Sequence, residues 1–152
     1  EAEILPLLTR SAARHGADLE AKSIGISIQC APGLHAVLDA SLLEQAISNL
    51  LLNAIDAVPP AGGEITLYAV ADVDQSVLIG VRDNGPGIPG DKIQTIFKPY
   101  VTTKTKGSGL GLAVVTKIMM VHDGQVELRP SAEGADFVLR LPHHPHPPPQ
   151  QS

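Results

Sequence analysis

Gln45, Asn49, Asn53 and Asp56 follow one another at spacings of four, four and three residues. On a helix that spacing lines amides and an acid along one edge. A solvated helix edge usually carries Lys and Glu, whereas Asn favours caps and turns and is a poor interior helix former. Asn repeated at i and i+4 therefore points to a bound ligand. Amide and carboxylate oxygens are hard donors. Mg2+ takes one or two of them and keeps waters and substrate phosphates in its other positions. Asn53 could be such a ligand, and an amide adds no negative charge to a site that must admit a polyphosphate.

Two glycine-rich stretches carry the other chemistry. DNGPGIP, residues 83–89, directly follows the apolar run VLIGV. A carboxylate only accepts hydrogen bonds, so Asp83 at the end of a buried strand matches an exocyclic amine such as adenine N6, and guanine, with an oxygen there, would be repelled. Gly85 and Gly87 leave room for a flat ring, and Pro86 and Pro89 limit the entropy lost on ordering. Taken alone, DNG and PG are ordinary turn sequences. GSGLGL, residues 107–112, precedes an apolar helical run, and free N–H groups at a helix start make an anion site. The stretch lacks the G-K-[ST] ending of a P-loop. Lys98, Lys104 and Lys106 lie just upstream in a chain of net charge −5, which supplies local cations for phosphate.

These residues need elements to hold them. Residues 3–22 read as one helix, and SIGISIQCA (23–31) alternates as a half-buried strand. LHAVLD gives a short second strand. SLLE (41–44) has a capping-box pattern, Ser41 with Glu44. It opens an apolar stripe of Leu43, Ala46, Ile47, Leu50, Leu51, Ala54 and Val58, which Pro59 and Pro60 end. EITLYAVA and VLIGVRD, joined by a short polar turn, predict an antiparallel hairpin. Residues 84–107 form a long irregular stretch, and such a stretch in a compact domain usually has a function. LGLAVVTKIMMV predicts a second apolar helix ended by a left-handed Gly124, and QVELRP with GADFVLRLP a last hairpin. The tail HHPHPPPQQS (143–152) has nothing to bury and is expected to be disordered. Its histidines lack a partner carboxylate or cysteine for a metal site. One domain is expected over 1–141, with 142–152 as tail.

Composition narrows the field. The 152 residues and 15.9 kDa suit one core; 43% are hydrophobic but only 3% aromatic, so the core is aliphatic. An acidic balance argues against nucleic acid as partner. The lone Cys30 closes no internal disulfide, as expected in a reducing, cytoplasmic setting. No apolar run approaches the roughly 20 residues of a membrane span, so no membrane contact is expected. The chain opens on Leu5, Leu8 and Ala12 at helical spacing with no start signal before them, the mark of a piece of a longer polypeptide.

NLLLNAIDA, DNGPGI, IFKPY and GSGLGLAVV, in that order, closely resemble the N, G1, F and G2 boxes of the catalytic and ATP-binding domain of sensor histidine kinases. The run YVTTKTKGSGLGL looks like the nitrogen-regulation type in particular. That domain belongs to a superfamily shared with type II topoisomerases and mismatch-repair ATPases. The resemblance spans residues about 36–141. It implies an α/β, or α+β, two-layer sandwich: a mixed, mostly antiparallel sheet covered on one face by about three helices, with a flexible ATP lid over 84–107. It also implies ATP and Mg2+ as cofactors.

Carried over by position, the resemblance has Asn53 coordinate Mg2+, with Asn49 and Asp56 beside it. Asp83 holds the adenine amine, and Gly85, Gly87 and Ile88 line the base pocket. Phe97 and Tyr100 anchor the lid, and Thr102 and Thr103 join the nucleotide-binding set. Lys104 approaches the phosphates, which Gly107, Ser108, Gly109, Leu110, Gly111 and Leu112 wrap. Asn49 and Lys104 take the catalytic role.

The implied activity is γ-phosphate donation to a histidine on a dimerisation domain of the same, homodimeric, parent polypeptide. A response regulator receiver domain follows downstream. No phosphoacceptor is expected within this chain: the family's modified histidine is followed by an acid, whereas His15 is followed by Gly16 and Ala17. His15, His35 and His122 read as surface or helix-end residues. The family commonly has a Thr shortly before the last strand's Phe, where Ala135 and Asp136 stand here. Two rivals share the superfamily, an ATP-hydrolysing conformational module and an anti-sigma-type serine kinase. Both tend to use a Glu one turn before the metal-binding Asn, and that position is Asn49, which cannot take a proton. Glu44 is a substitute by residue type only.

Overall fold

The computed structural model describes residues 2–59, 61–85, 111–129 and 134–142. A five-stranded sheet forms the frame. Its strands are β2 (Gly25–Cys30), β4 (Glu64–Ala71), β5 (Val77–Asp83), β6 (Gln125–Arg129) and β7 (Asp136–Leu141), in the spatial order β2-β4-β5-β7-β6. Only β2 and β4 run parallel; every other pairing is antiparallel. The short β1 (Ala2–Glu3) and β3 (His35–Ala36) pair separately. This is the expected mixed, mostly antiparallel sheet.

Alternation along each strand decides which face is covered. Ile65, Leu67 and Ala69 of β4, Val77, Ile79 and Val81 of β5, and Phe137, Leu139 and Leu141 of β7 are all buried in one apolar cluster. Three helices close over them. α1 (Ile4–Arg14) packs on β2 and β4, α3 (Ala40–Ala57) on β5, and α4 (Gly111–Val121) on β6 and β7, with α3 lying between the other two. The whole stripe foreseen on α3 is buried, joined by Ile55. Among the described residues no helix is long and apolar enough to cross a membrane.

Three local expectations fail. The helix expected over 3–22 breaks at His15, which ends α1 and starts α2 (Gly16–Ala21). Its ring nitrogen meets Ser48 Oγ on α3 at 2.5 Å, and Gly16 weakens the helix at that point. The bend brings Leu19 into the core. The cap of α3 is Asp39, not Ser41. Its Oδ1 accepts from Leu42 N at 3.1 Å, and Glu44 turns instead to Arg10 and Arg14, each at 3.2 Å. Asp is as good an N-cap as Ser, and two guanidiniums outcompete a backbone N–H for the carboxylate. At the end of α4 the left-handed residue is Asp123 (φ 56), one before Gly124.

Candidate functional site

Asp83 is the last residue of β5 and lies on the helix side of the sheet, 5% exposed. Its Oδ1 accepts two backbone N–H groups, from Gly85 at 2.8 Å and Ala135 at 3.3 Å, while its own N–H donates to Ala135 O at 2.9 Å. Burial pushes the carboxyl above the ordinary carboxylate range. The two N–H bonds oppose that shift, and the neighbouring Asp136 charge adds to it. Both bonds from described residues fall on one oxygen, which leaves Oδ2 as the acceptor for anything brought against the strand end.

Glycines allow this packing. A Cβ on Gly85 would lie 2.4 Å from Ala57 O, so the turn after Asp83 sits against the last residue of α3. Gly134 has φ +74, and a Cβ there would lie 2.0 Å from Asp83 O. Gly134→Ala therefore meets both a left-handed backbone and a collision with the strand carrying the carboxylate. We expect a loss of about 2 kcal/mol or more, seen as a lower urea midpoint at unchanged slope. An unchanged midpoint would show that Gly134 does not clamp Asp83.

Asn84, the amide beside Asp83, has a different role. Its Oδ1 accepts from Glu64 N at 2.8 Å and its Nδ2 donates to Gly62 O at 2.9 Å. It thus clasps the α3–β4 connection to the end of β5. Sequence reading missed this residue, along with Gly134 and the Ala135 N–H.

Ala57 brings the other candidates near. Asn53 lies four residues before it, just over one helical turn or about 6 Å along the axis, so the amide edge of α3 ends beside the turn at Asp83. Asn49 and Asn53 are half-buried, while Gln45 and Asp56 are exposed. Asn49, Asn53 and Asp56 all have partners.

α4 returns to the same place. Asp39 N, at the start of α3, donates to His122 Nε2 at 2.9 Å, and His122 Nδ1 pairs with Ile118 O at 2.8 Å. The end of α4 is thereby tied to the beginning of α3, and the two helices run antiparallel. Eleven residues of helix span about 16 Å, so Gly111, at the start of α4, comes back toward the half of α3 that bears Asn49 and Asn53. Leu112 packs partly buried on the core. Gly87, Ile88, Phe97, Tyr100, Thr102, Thr103, Lys104, Gly107, Ser108, Gly109 and Leu110 lie outside the described residues, as do Lys98 and Lys106.

The donor chemistry fits a divalent ion held jointly with a ligand. Among the described residues no group of three His, Cys, Asp or Glu side chains could hold a metal unaided. The amide oxygens of α3 suit Mg2+, which needs few protein ligands when phosphates supply the rest. Glu44 faces Arg10 and Arg14 and is committed to that ion pair rather than to proton transfer.

Comparison with known proteins gives the family and the fold. Residues 38–145 match the family described as histidine kinase-, DNA gyrase B-, and HSP90-like ATPase. The chain is 42% identical over 116 residues to nitrogen regulation protein NtrY of Azorhizobium caulinodans, covering 72% of this chain and 15% of the relative. It is 43% identical over 105 residues to sensor histidine kinase ZraS of Salmonella typhi, covering 68% and 22%. The chain therefore spans less than a quarter of the length of either curated relative. Among solved structures, the mycobacterial sensor histidine kinase MprB superposes with a TM-score of 0.82 at 26% identity, covering 95% of this chain and 99% of that one. Full-length ShkA in complex with AMPPNP gives 0.82 at 31% identity, covering 93% and 30%. The chain belongs to the histidine kinase-, DNA gyrase B-, and HSP90-like ATPase family, as a catalytic domain of the sensor histidine kinase type.

Proposed function

We propose that this domain binds Mg2+-ATP and passes the γ-phosphate to a histidine imidazole on a dimerisation domain of its parent polypeptide. The observation that carries the reading is Asp83, a buried carboxylate at a strand end with two N–H groups on one oxygen and the end of an amide-edged helix beside it. Its relatives' names and the AMPPNP complex of ShkA support the same ligand class. Asp83 Oδ2 accepts from the adenine amine. Asn53 holds the metal, with Asn49 and Asp56 alongside, and the start of α4 offers N–H groups to the phosphates. Mg2+ supplies charge neutralisation on the phosphate oxygens when bound. Lys104 and the glycines of 107–111 complete the phosphate end, and Phe97 and Tyr100 anchor the lid over the base. Positioning and electrostatics do most of the work of phosphoryl transfer; the acid or base for the acceptor lies beside the acceptor histidine. A receiver domain of a response regulator then takes the phosphate from a homodimeric parent acting in the cytoplasm.

Calorimetry with Mg2+-ATP, competed by ADP, tests the binding half. Radiolabelled ATP mixed with the separately expressed dimerisation domain tests the transfer half. Binding heat and acid-labile label on that domain are expected. No heat and no competition would overturn nucleotide binding. Heat with free phosphate release and no label would replace transfer with a conformational ATPase.

A further inference from the structure

The face of the sheet away from the helices carries a clasp across three strands. Tyr68 of β4 is in register with Gly80 of β5, which is in register with Val138 of β7. A Cβ on Gly80 would lie 2.0 Å from Tyr68 Cζ, so the missing side chain is what lets the ring lie across β5. The phenol thereby reaches the far strand and donates to Asp136 Oδ1 at 2.7 Å. Arg82 stacks over the same ring at 4.8 Å and brings Nε to 3.7 Å from Asp136 Oδ2. Asp136 is 7% exposed, and a carboxylate buried to that degree needs such partners. Burial first, then the bond to Asp136, pushes the Tyr68 hydroxyl up to about 12. It is therefore a proton donor throughout the physiological range.

Asp136 directly follows Ala135, the residue that bonds Asp83 through both its N–H and its C=O. At 3.3 Å the N–H bond lies just beyond the usual range, so small movements of the start of β7 decide whether it persists. We propose that Tyr68, Asp136 and Arg82 are positioning residues that hold Ala135 against Asp83 and so set the preference for purines bearing an exocyclic 6-amine. This rests on the reading of Asp83 as the adenine acceptor.

ATP and ITP separate the two ideas, because the hypoxanthine base of ITP carries an oxygen in place of the amine. Affinities for both, as Mg2+ complexes, would be measured for the wild type, Tyr68→Phe, Asp136→Ala and the double variant. Tyr68→Phe keeps the ring over Gly80 and is expected to melt like the wild type. We expect it to bind ATP about fivefold more weakly while ITP affinity stays within about twofold. Asp136→Ala should do at least as much, and the double variant no more than Asp136→Ala alone, as for groups acting as one unit. Parallel weakening of ATP and ITP, or no change in either with Tyr68→Phe, would overturn the positioning role while leaving Asp83 in place. A wild type that does not prefer ATP to ITP would overturn the Asp83 reading and this proposal with it.

Discussion

Asp83→Asn is expected to weaken ATP binding by about a hundredfold or more while leaving the apo domain as stable as before, or more so. The hydrogen bonds at Asp83 give the reason. Gly85 N and Ala135 N both donate to Oδ1. An asparagine here keeps its carbonyl oxygen on those donors and must put its NH2 where Oδ2 was. A donor then faces the adenine amine, and a site built for a hydrogen bond rejects a mismatched group strongly. Stability moves the other way. Burial raises the carboxyl's pKa in the folded chain, so between the ordinary and the raised value the native state binds more protons than the unfolded one. Stability contributed by this group is full below the ordinary value and is lost as pH rises through the raised one. Asparagine carries no such proton, so the variant lacks that fall and escapes the cost of a buried charge. Calorimetric titration with Mg2+-ATP and melting curves across the acid range check both halves. Retained micromolar affinity would remove Asp83 from the base pocket.

Periodic features were legible in the sequence; choices among equivalent partners were not. The stripe from Leu43 to Val58 is read from a 3.6-residue repeat, and the structure buries all of it because burial of that face is what makes the helix stable. Alternation likewise marked β2, and strand-like runs around a polar turn marked β4 and β5, but neither signal says that β2 pairs parallel with β4. Asp39 and Ser41 are both capping residues; the choice turns on Arg10 and Arg14, which draw Glu44 away from any capping box. The break at His15 depends on Ser48, thirty-three residues further on. At the site, Asp83 stood out because a carboxylate at the end of an apolar run is anomalous. Asn84 in the same turn has a residue type that suits a plain turn equally well. The Ala135 N–H was invisible, since every residue but proline has one, and Gly134 shows its need only through its φ and its contact with Asp83. The four ordered motifs identified the family, while part of the packing around Asp83 comes from Gly134 and Ala135, which the motifs omit.

The second large effect is expected at Asn53. Asn53→Ala should lower Mg2+-dependent phosphotransfer by about a hundredfold and leave metal-free ATP binding nearly unchanged. On the proposed reading the two ends of the site draw on different elements: the base on Asp83 and Ala135 at adjoining strand ends in the middle of the sheet, the phosphates on α3 and the start of α4. Asn53 is half-buried one turn before Ala57, whose carbonyl the Gly85 turn meets, and the two donors on Asp83 Oδ1 are Gly85 N and Ala135 N, so its truncation is expected to act on the phosphate end rather than the base end. Alanine is also the better helix former by a few tenths of a kcal/mol, which argues against unfolding as the cause of lost activity. Asn53→Asp keeps the shape but adds a charge beside the triphosphate, and it too should lose transfer. Transfer rates titrated with Mg2+, set beside ATP affinity measured with EDTA, separate the terms. If Asn53→Ala transfers phosphate at the wild-type rate, the metal is held elsewhere and the amide edge of α3 is only a helix surface.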